Sequence, residues 1–485
     1  MRVIAALSFV VLAGAALVVK LVQEPNSILK MGRTIGDVYA YVPDYQTPFR
    51  VRAPASRFDV LLSPDRLPMP ELPLALPSQE ERQLEILIAG DTGLNGSFQP
   101  VHASFGLRGG SRLSFADATT DIAQVIDGDI NFANLETVVT DRNDLTGSLK
   151  LFGFRTHPEG VKHLLRMGFN VFSSANNHSM DYGLDGARET LKQLGLLGVV
   201  HAGLGATREE AGAARVLEIN GIRVAFGAVG IGGSGFGSLM RSESRPGQLV
   251  PGSDADLSDV TASLRTSGAD FKVFSAHYGT EFDVTTSSYD QSRFHRVLSD
   301  GADMFVGHHQ HVVAGVEIVD GKPLFYGLGN FLHWGTQDMS RHDICHDYGL
   351  VAKVHLSAVA GEKPKLRAIE AIPVTGMHIR TRRMAPEDST VRIFALNHLN
   401  NQFGQNGVQF GIEPDGTGLY CAPGAERLSG TIGARCAMAP RTVQPAPALA
   451  SRIADACSRK LVRMVESDGE NGTDLTGLAA NGEPQ

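Results

Sequence analysis

Five short apolar runs, each ending in a cluster of Asp, Glu, Asn or His, set the pattern of this chain. EILIA precedes Gly90-Asp91, INFA precedes Asn134-Leu135-Glu136, and FNVFSSA precedes Asn176-Asn177-His178. FKVFSA leads into His277-Tyr278-Gly279-Thr280-Glu281, and DMFV into Gly307-His308-His309-Gln310-His311. Runs of this length, rich in Val, Ile and Phe, predict buried strands. Between them GVKHLLRMG, GLDGARETLKQLGL, DADLSDVTASLRTSG and SSYDQSRFHRVLSDGA carry apolar residues at helical spacing. Strands alternating with such helices predict crossover units and a parallel sheet in an α/β fold. Two hairpins break the rhythm, with turns at Asn220-Gly221 and Asp320-Gly321. The second, followed by YGLVAKVHLS and LRAIEAIPV, predicts that the sheet becomes mixed or antiparallel toward its end.

The pattern also divides the chain. Residues 3–19 are uncharged and apolar behind Arg2, and Leu21 and Val22 extend the run beyond Lys20. Ala13-Gly14-Ala15 has the spacing of a cleavage site but lies inside the run. Residues 1–22 therefore read as an uncleaved membrane anchor ahead of a cleaved signal segment, and either one carries the remainder out of the cytoplasm. Residues 23–82 are Pro-rich without periodicity, as in an arm or linker. The strand–helix alternation predicts a domain over 83–385. Residues 386–485 read as a C-terminal extension: a helix around RIFALNHLNNQF, then Gly/Pro/Ala-rich sequence and a final stretch of disordered composition.

A net charge of -8 without Lys/Arg runs argues against a nucleic-acid partner. The four cysteines, Cys345, Cys421, Cys436 and Cys457, form no CxxC pair, which excludes a zinc ribbon. In an oxidising compartment Cys421 and Cys436 are placed to close a short loop. Four cysteines allow three pairings, and free thiols are the other reading.

In open α/β sheets ligands bind outside the carboxyl ends of the strands, so the five polar clusters are expected to converge there. Together they offer carboxylate, amide and imidazole donors, the set that hard or borderline divalent cations take in hydrolytic sites. His309 and His311, two apart, would face one side of an extended backbone. Gly230-Ile231-Gly232-Gly233-Ser234-Gly235 matches G-x-G-x-x-G, but the residues after it lack the helix that would hold a pyrophosphate, so it reads as a loop beside the site. No G-x-S-x-G elbow occurs.

The order of these clusters, with Asn-Asn-His, Gly-His-His-x-His and finally Gly329-Asn330-Phe331, resembles the CapA/PgsA-like capsule synthesis proteins, associated with poly-γ-glutamate and placed in the calcineurin-like metallophosphatase superfamily. The resemblance spans about residues 84–335. It implies a four-layer α/β/β/α sandwich with mixed sheets in place of a single sheet. By motif it implies Asp91, Glu136, Asn177, His277, His309 and His311 as metal ligands, Glu136 bridging, and His178 as the catalytic histidine. Asp181 is placed to orient the His178 imidazole. Arg155 is the candidate to pair with a substrate anion, and His308 and Glu281 are further candidates to face substrate. Gly93 stands where the wider superfamily has the histidine of Asp-x-His, which leaves one metal position short of a ligand. The cofactor expected is therefore one or two divalent ions, with Mn, Zn and Fe all compatible.

The function expected is an exported, membrane-tethered, metal-dependent hydrolase or transferase acting on polyglutamate or another cell-envelope polymer, on an amide or a phosphoester bond. The alternative is a non-catalytic protein that binds an anionic polymer within a capsule synthesis and export complex.

Overall fold

The computed structural model describes residues 81–94, 102, 104–106, 112–148, 152–231, 245–359, 361–438 and 443–461. The N-terminal apolar segment, the Pro-rich stretch before residue 81, the glycine-rich loop beyond Ile231 and the last residues of the chain lie outside them. Ser104–Gly106 and Arg112–Ser114 pair antiparallel within a small unit of their own, and the rest of the described chain belongs to a second unit.

That unit is built on two mixed sheets. β1 (Arg82–Gly93), β2 (Ile130–Leu135), β3 (Val171–Ser173) and β4 (Val200–Ala202) run parallel in the order given. The chain then builds the second sheet from β5 (Arg215–Ile219), β6 (Ile222–Gly230), β7 (Phe271–His277), β8 (Met304–His308), β9 (Val313–Val319) and β10 (Lys322–Leu328), in the order β5-β6-β7-β8-β10-β9. It returns to the first sheet with β11 (Asn330–His333), β12 (Gly349–Ala358), β13 (Lys365–Thr375), β14 (Arg382–Arg383), β15 (Gly411–Ile412) and β16 (Gly418–Cys421). There β12, β13, β16 and β15 extend outward from β1 as antiparallel neighbours. The hairpins β5–β6 and β9–β10 turn where the sequence marks them. Asn220 and Gly221, and Asp320 and Gly321, all have positive φ, the combination a two-residue type I′ turn requires.

Alternate residues of the strands set the layers. Ile86, Ile88, Phe132 and Val171 of the first sheet meet Val224, Phe226, Val273 and Val306 of the second in one apolar core. Phe132 and Phe226 stack across it at 5.6 Å. Truncating a ring buried this completely costs about 3–5 kcal/mol. The neighbours that point the other way are covered by helices. Asn131, between the inward Ile130 and Phe132, donates to the Gly168 carbonyl at the end of α1 (Pro158–Met167). Helix α2 (Gly183–Leu196) follows β3 by the next crossover. On the second sheet Phe274 and Phe305 pack against Leu257, Val260 and Leu264 of α3 (Asp254–Thr266) and Phe294 and Val297 of α4 (Ser288–Ser299). The architecture is an α/β/β/α sandwich with mixed sheets.

Residue 385 is not where the sandwich ends. Helix α5 (Pro386–Asn400) places Ile393 and Leu396 in the inter-sheet core, and β16 adds a strand beside β13. The described residues from 386 onward thus complete the fold. Two disulfides tie this region down, Cys421–Cys436 within it and Cys345–Cys457 from the loop before β12 to α7 (Pro447–Ser458), the helix after α6 (Thr431–Met438). Among the described residues no helix is long and apolar enough to cross a membrane.

One irregularity positions the site. Over Arg82–Ile88, β1 pairs antiparallel with β12, whereas from Asp91 to Gly93 its partner on that side is β11, running parallel. The changeover falls at Gly90, where a Cβ would stand 2.0 Å from the Gly329 carbonyl oxygen, so only glycine lets the strands approach. Both sheets end there, and their polar clusters face one another.

Candidate metal centre

Each cluster arrives at the end of a strand. Asp91 closes the regular part of β1, Glu136 follows β2, Asn176-Asn177-His178 follows β3, His277 ends β7, and His309 and His311 follow β8. The six residues expected as ligands are brought together, and their donor atoms fall into two groups that share Glu136. In the first, His277 Nε2 lies 3.4 Å from Glu136 Oε1, 2.7 Å from Asn177 Oδ1 and 3.1 Å from His309 Nδ1. In the second, Asp91, Glu136 and His311 present donor atoms within 4.8 Å of one another. Donors of one ion held at about 2.0–2.2 Å stand roughly 3 Å or slightly more apart, so these spacings suit shared cations.

Burial makes the case sharper. Glu136 is fully buried, and neither of its carboxylate oxygens has a hydrogen-bond partner among the described residues. A buried carboxylate without partners costs several kcal/mol. A divalent cation between Glu136 and the imidazoles removes that cost, and the residues present fit one. Asp91 is held by Asn134 Nδ2 at 2.8 Å and by the His309 backbone N–H at 3.1 Å. Burial and the nearby Glu136 push the Asp91 carboxyl upward, but contacts with His308 and His311 prevail and hold it below the usual carboxylate range. Glu136 is likewise held low: burial opposes ionisation and His277 and His311 overcome it. Burial drives His309 well below the usual imidazole range, assisted by His277 and His311. His311 runs the other way. Burial would lower it, yet Glu136 and Asp91 push it up to about 10.

The His-x-His pair does not lie on extended backbone. His309 and His311 both have positive φ, 100° and 57°, strained for residues with a side chain. The turn separates their rings to 6.1 Å and sends one imidazole to each donor group. His178 sits beside the centre with Nε2 3.8 Å from Glu136 Oε1. Its Nδ1 lies 2.6 Å from Asp181 Oδ2, and its ring packs on Phe154 at 4.2 Å.

Of the three residues expected to meet substrate, the structure keeps one near the opening. Glu281 is partly exposed, and its charge acts on His311. His308 is corrected to an interior role. It alternates with the inward Val306 of β8, so it points between the sheets, buried against Phe132 with Nδ1 3.3 Å from Asp91 Oδ1. Arg155 is corrected as well. Adjacent to Phe154 but facing the other way, it stacks over Tyr182 at 4.9 Å and donates to the Arg142 carbonyl.

Three residues carry roles that the motifs did not assign. Asn134 fixes Asp91, and Asn330 Oδ1 lies 2.8 Å from His311 Nδ1. His333 reaches within 3.3 Å of Glu136 Oε2. Asn330 lies in the Gly-Asn-Phe motif, but nothing in the sequence around His333 signals a site residue.

The family model for bacterial capsule synthesis protein PGA_cap matches residues 85–334. Over 202 residues the chain is 34% identical to the PGA biosynthesis protein CapA of Bacillus subtilis, covering 41% of this chain and 52% of that protein. It is 30% identical over 176 residues to the capsule biosynthesis protein CapA of Bacillus anthracis, covering 36% and 42%. It is 25% identical over 283 residues to a probable polyglutamine synthesis accessory protein of Mycobacterium tuberculosis, covering 57% and 73%. The chain spans about half the length of the Bacillus relatives.

Proposed function

The chain belongs to the bacterial capsule synthesis protein family PGA_cap, and from that premise we propose that it is an exported, metal-dependent hydrolase or transferase of polyglutamate or a related envelope polymer. The observation that carries this reading is Glu136, buried without hydrogen-bond partners between two sets of donor atoms. The names of the relatives, which concern capsule and polyglutamine synthesis, support the polymer. Two disulfides in the folded unit belong with an oxidising compartment, which supports export through the apolar N-terminal segment and tethering by it.

A bound divalent ion supplies Lewis acidity and lowers the pKa of its water from 15.7 toward about 7. The protein's own residues do the rest. Glu136, Asn177, His277 and His309 hold one position, and Asp91, Glu136 and His311 contribute to a second. A carboxylate only accepts hydrogen bonds, so Asp181 takes the Nδ1–H of His178 and fixes the tautomer and ring direction. The Phe154 backbone N–H donates to the same carboxylate oxygen at 2.7 Å and keeps it in place. His178 Nε2 is then turned toward Glu136, where a leaving oxygen or nitrogen of substrate would receive its proton. Negative charge developing on a carbonyl or phosphoryl oxygen is met by the same centre, so the ligand set serves either bond.

The test is turnover of γ-glutamyl peptides and of simple phosphoesters by the purified full chain, before and after chelation. We expect one class to be cleaved or transferred, with activity lost to EDTA and restored by Mn²⁺ or Zn²⁺. A metal-loaded protein that turns over neither class and still binds polyglutamate would replace the enzyme with a polymer-binding component of a capsule assembly.

A further inference from the structure

Resting on the metal-centre reading above, the geometry points to His333 as the ligand that completes the second metal position, in place of a side chain at Gly93. β1 and β11 run parallel, and Gly93 and His333 are direct partners in their register. Backbone bonds on either side fix that register: the Trp334 N–H donates to the Gly93 carbonyl at 2.7 Å, and the His333 N–H to the Met377 carbonyl at 2.8 Å. A Cβ on residue 93 would stand 3.3 Å from Cε1 of the His333 ring and 3.5 Å from its Nδ1. The imidazole from the neighbouring strand therefore occupies the space beside residue 93, and glycine there leaves room for it.

The ring is aimed at the centre. His333 Nε2 lies 3.3 Å from Glu136 Oε2, on the other carboxylate oxygen from the one facing His277. That spacing is what two ligands of one ion show when each bond is about 2.0–2.1 Å long. His333 is fully buried, yet neither ring nitrogen has a hydrogen-bond partner among the described residues, the same condition as both oxygens of Glu136. Buried polar atoms are nearly always paired, so an imidazole and a carboxylate both left unmatched, side by side, mark a place for a cation. Phe154 packs edge-on against the ring at 5.0 Å and His311 at 5.7 Å, which holds its direction. The second position then has four protein residues, Asp91, Glu136, His311 and His333, matching the four of the first.

Mn²⁺ binding to the full chain tests this by equilibrium dialysis and electron paramagnetic resonance, independently of activity. Wild type should bind two ions per chain and show the signal of an exchange-coupled pair. His333→Ala should bind one and show an uncoupled Mn²⁺ signal. Adding Gly93→His to His333→Ala should return the second ion, because an imidazole then reaches the same space from β1. His333→Phe keeps the ring volume against Phe154 and should also bind one ion, so a loss caused by misfolding of the alanine variant is recognised. Two coupled ions in both His333 variants, or a single ion bound equally by wild type and variants, overturns His333 as a ligand and leaves the first position standing. No ion in wild type overturns the metal centre itself.

Discussion

His178 Nδ1 lies 2.6 Å from Asp181 Oδ2, and that contact gives two adjacent residues different work. Asn177 turns its amide oxygen to His277 and the donor group, whereas His178 turns Nε2 into the cleft beside Glu136. His178→Ala should retain metal and lose turnover by roughly 100-fold to 10,000-fold, the range for one general acid or base. Asp181→Asn should retain metal and lose roughly 10-fold to 100-fold through misorientation of the ring. Metal content and steady-state rates on the same preparations check both. Equal metal loss in the two variants would make His178 a ligand.

Asn177→Ala should weaken metal binding, since it removes one donor of the first group. Loss of such a partner lowers affinity on the order of 10-fold to 100-fold, and excess metal should recover part of the activity. A titration of activity against Mn²⁺ reads the shift. An unchanged titration would place Asn177 outside the centre.

Removing the Cys345–Cys457 bridge frees a segment with a sequence separation of 112 residues. The cost is typically about 2–5 kcal/mol, with α7 released first. Replacing both cysteines with serine should lower the urea midpoint while leaving metal content unchanged, because neither cysteine touches the donor groups. Unaltered unfolding would show that α7 adds nothing to the cooperative unit.

Glu370 on β13 lies 2.7 Å from His355 Nε2 and 2.6 Å from Arg435 Nη2 of α6. Burial raises its pKa, but His355 and Arg435 outweigh it and bring it down to about 2 from 4.5. The folded pKa is the lower one, so this stabilisation is present above about pH 4.5 and is lost as pH falls toward 2. It amounts to about 3 kcal/mol. Glu370→Gln should be less stable at neutral pH, with the gap to wild type closing through that window. Parallel stability curves down to pH 2 would contradict it.

Much of the site was legible because apolar runs announce strands and a polar residue at the end of one is conspicuous. Asp91, Glu136, Asn177, His277, His309 and His311 all stand at such places. The turns at Asn220-Gly221 and Asp320-Gly321 were legible for a local reason, the positive φ that Asn, Asp and Gly tolerate. The facing of two sheets was implied by the resemblance, since alternation within one strand does not say which other strand it meets. His308 misled because strand alternation turns it inward, and the neighbouring histidines leave the strand altogether. His333 was invisible in sequence: its place depends on β1 exchanging β12 for β11 at Gly90, a pairing between segments 240 residues apart. The boundary at 385 missed α5 because its Ile393 and Leu396 pack on strands far away in sequence.

Anomalous X-ray scattering at the absorption edge of the bound metal, from crystals of the Mn²⁺-loaded protein, tests the central claim most directly. The account predicts a peak within coordination distance of Glu136, Asn177, His277 and His309, and a second beside Asp91, Glu136, His311 and His333. Ordered electron density for these side chains with no anomalous peak among them would contradict it.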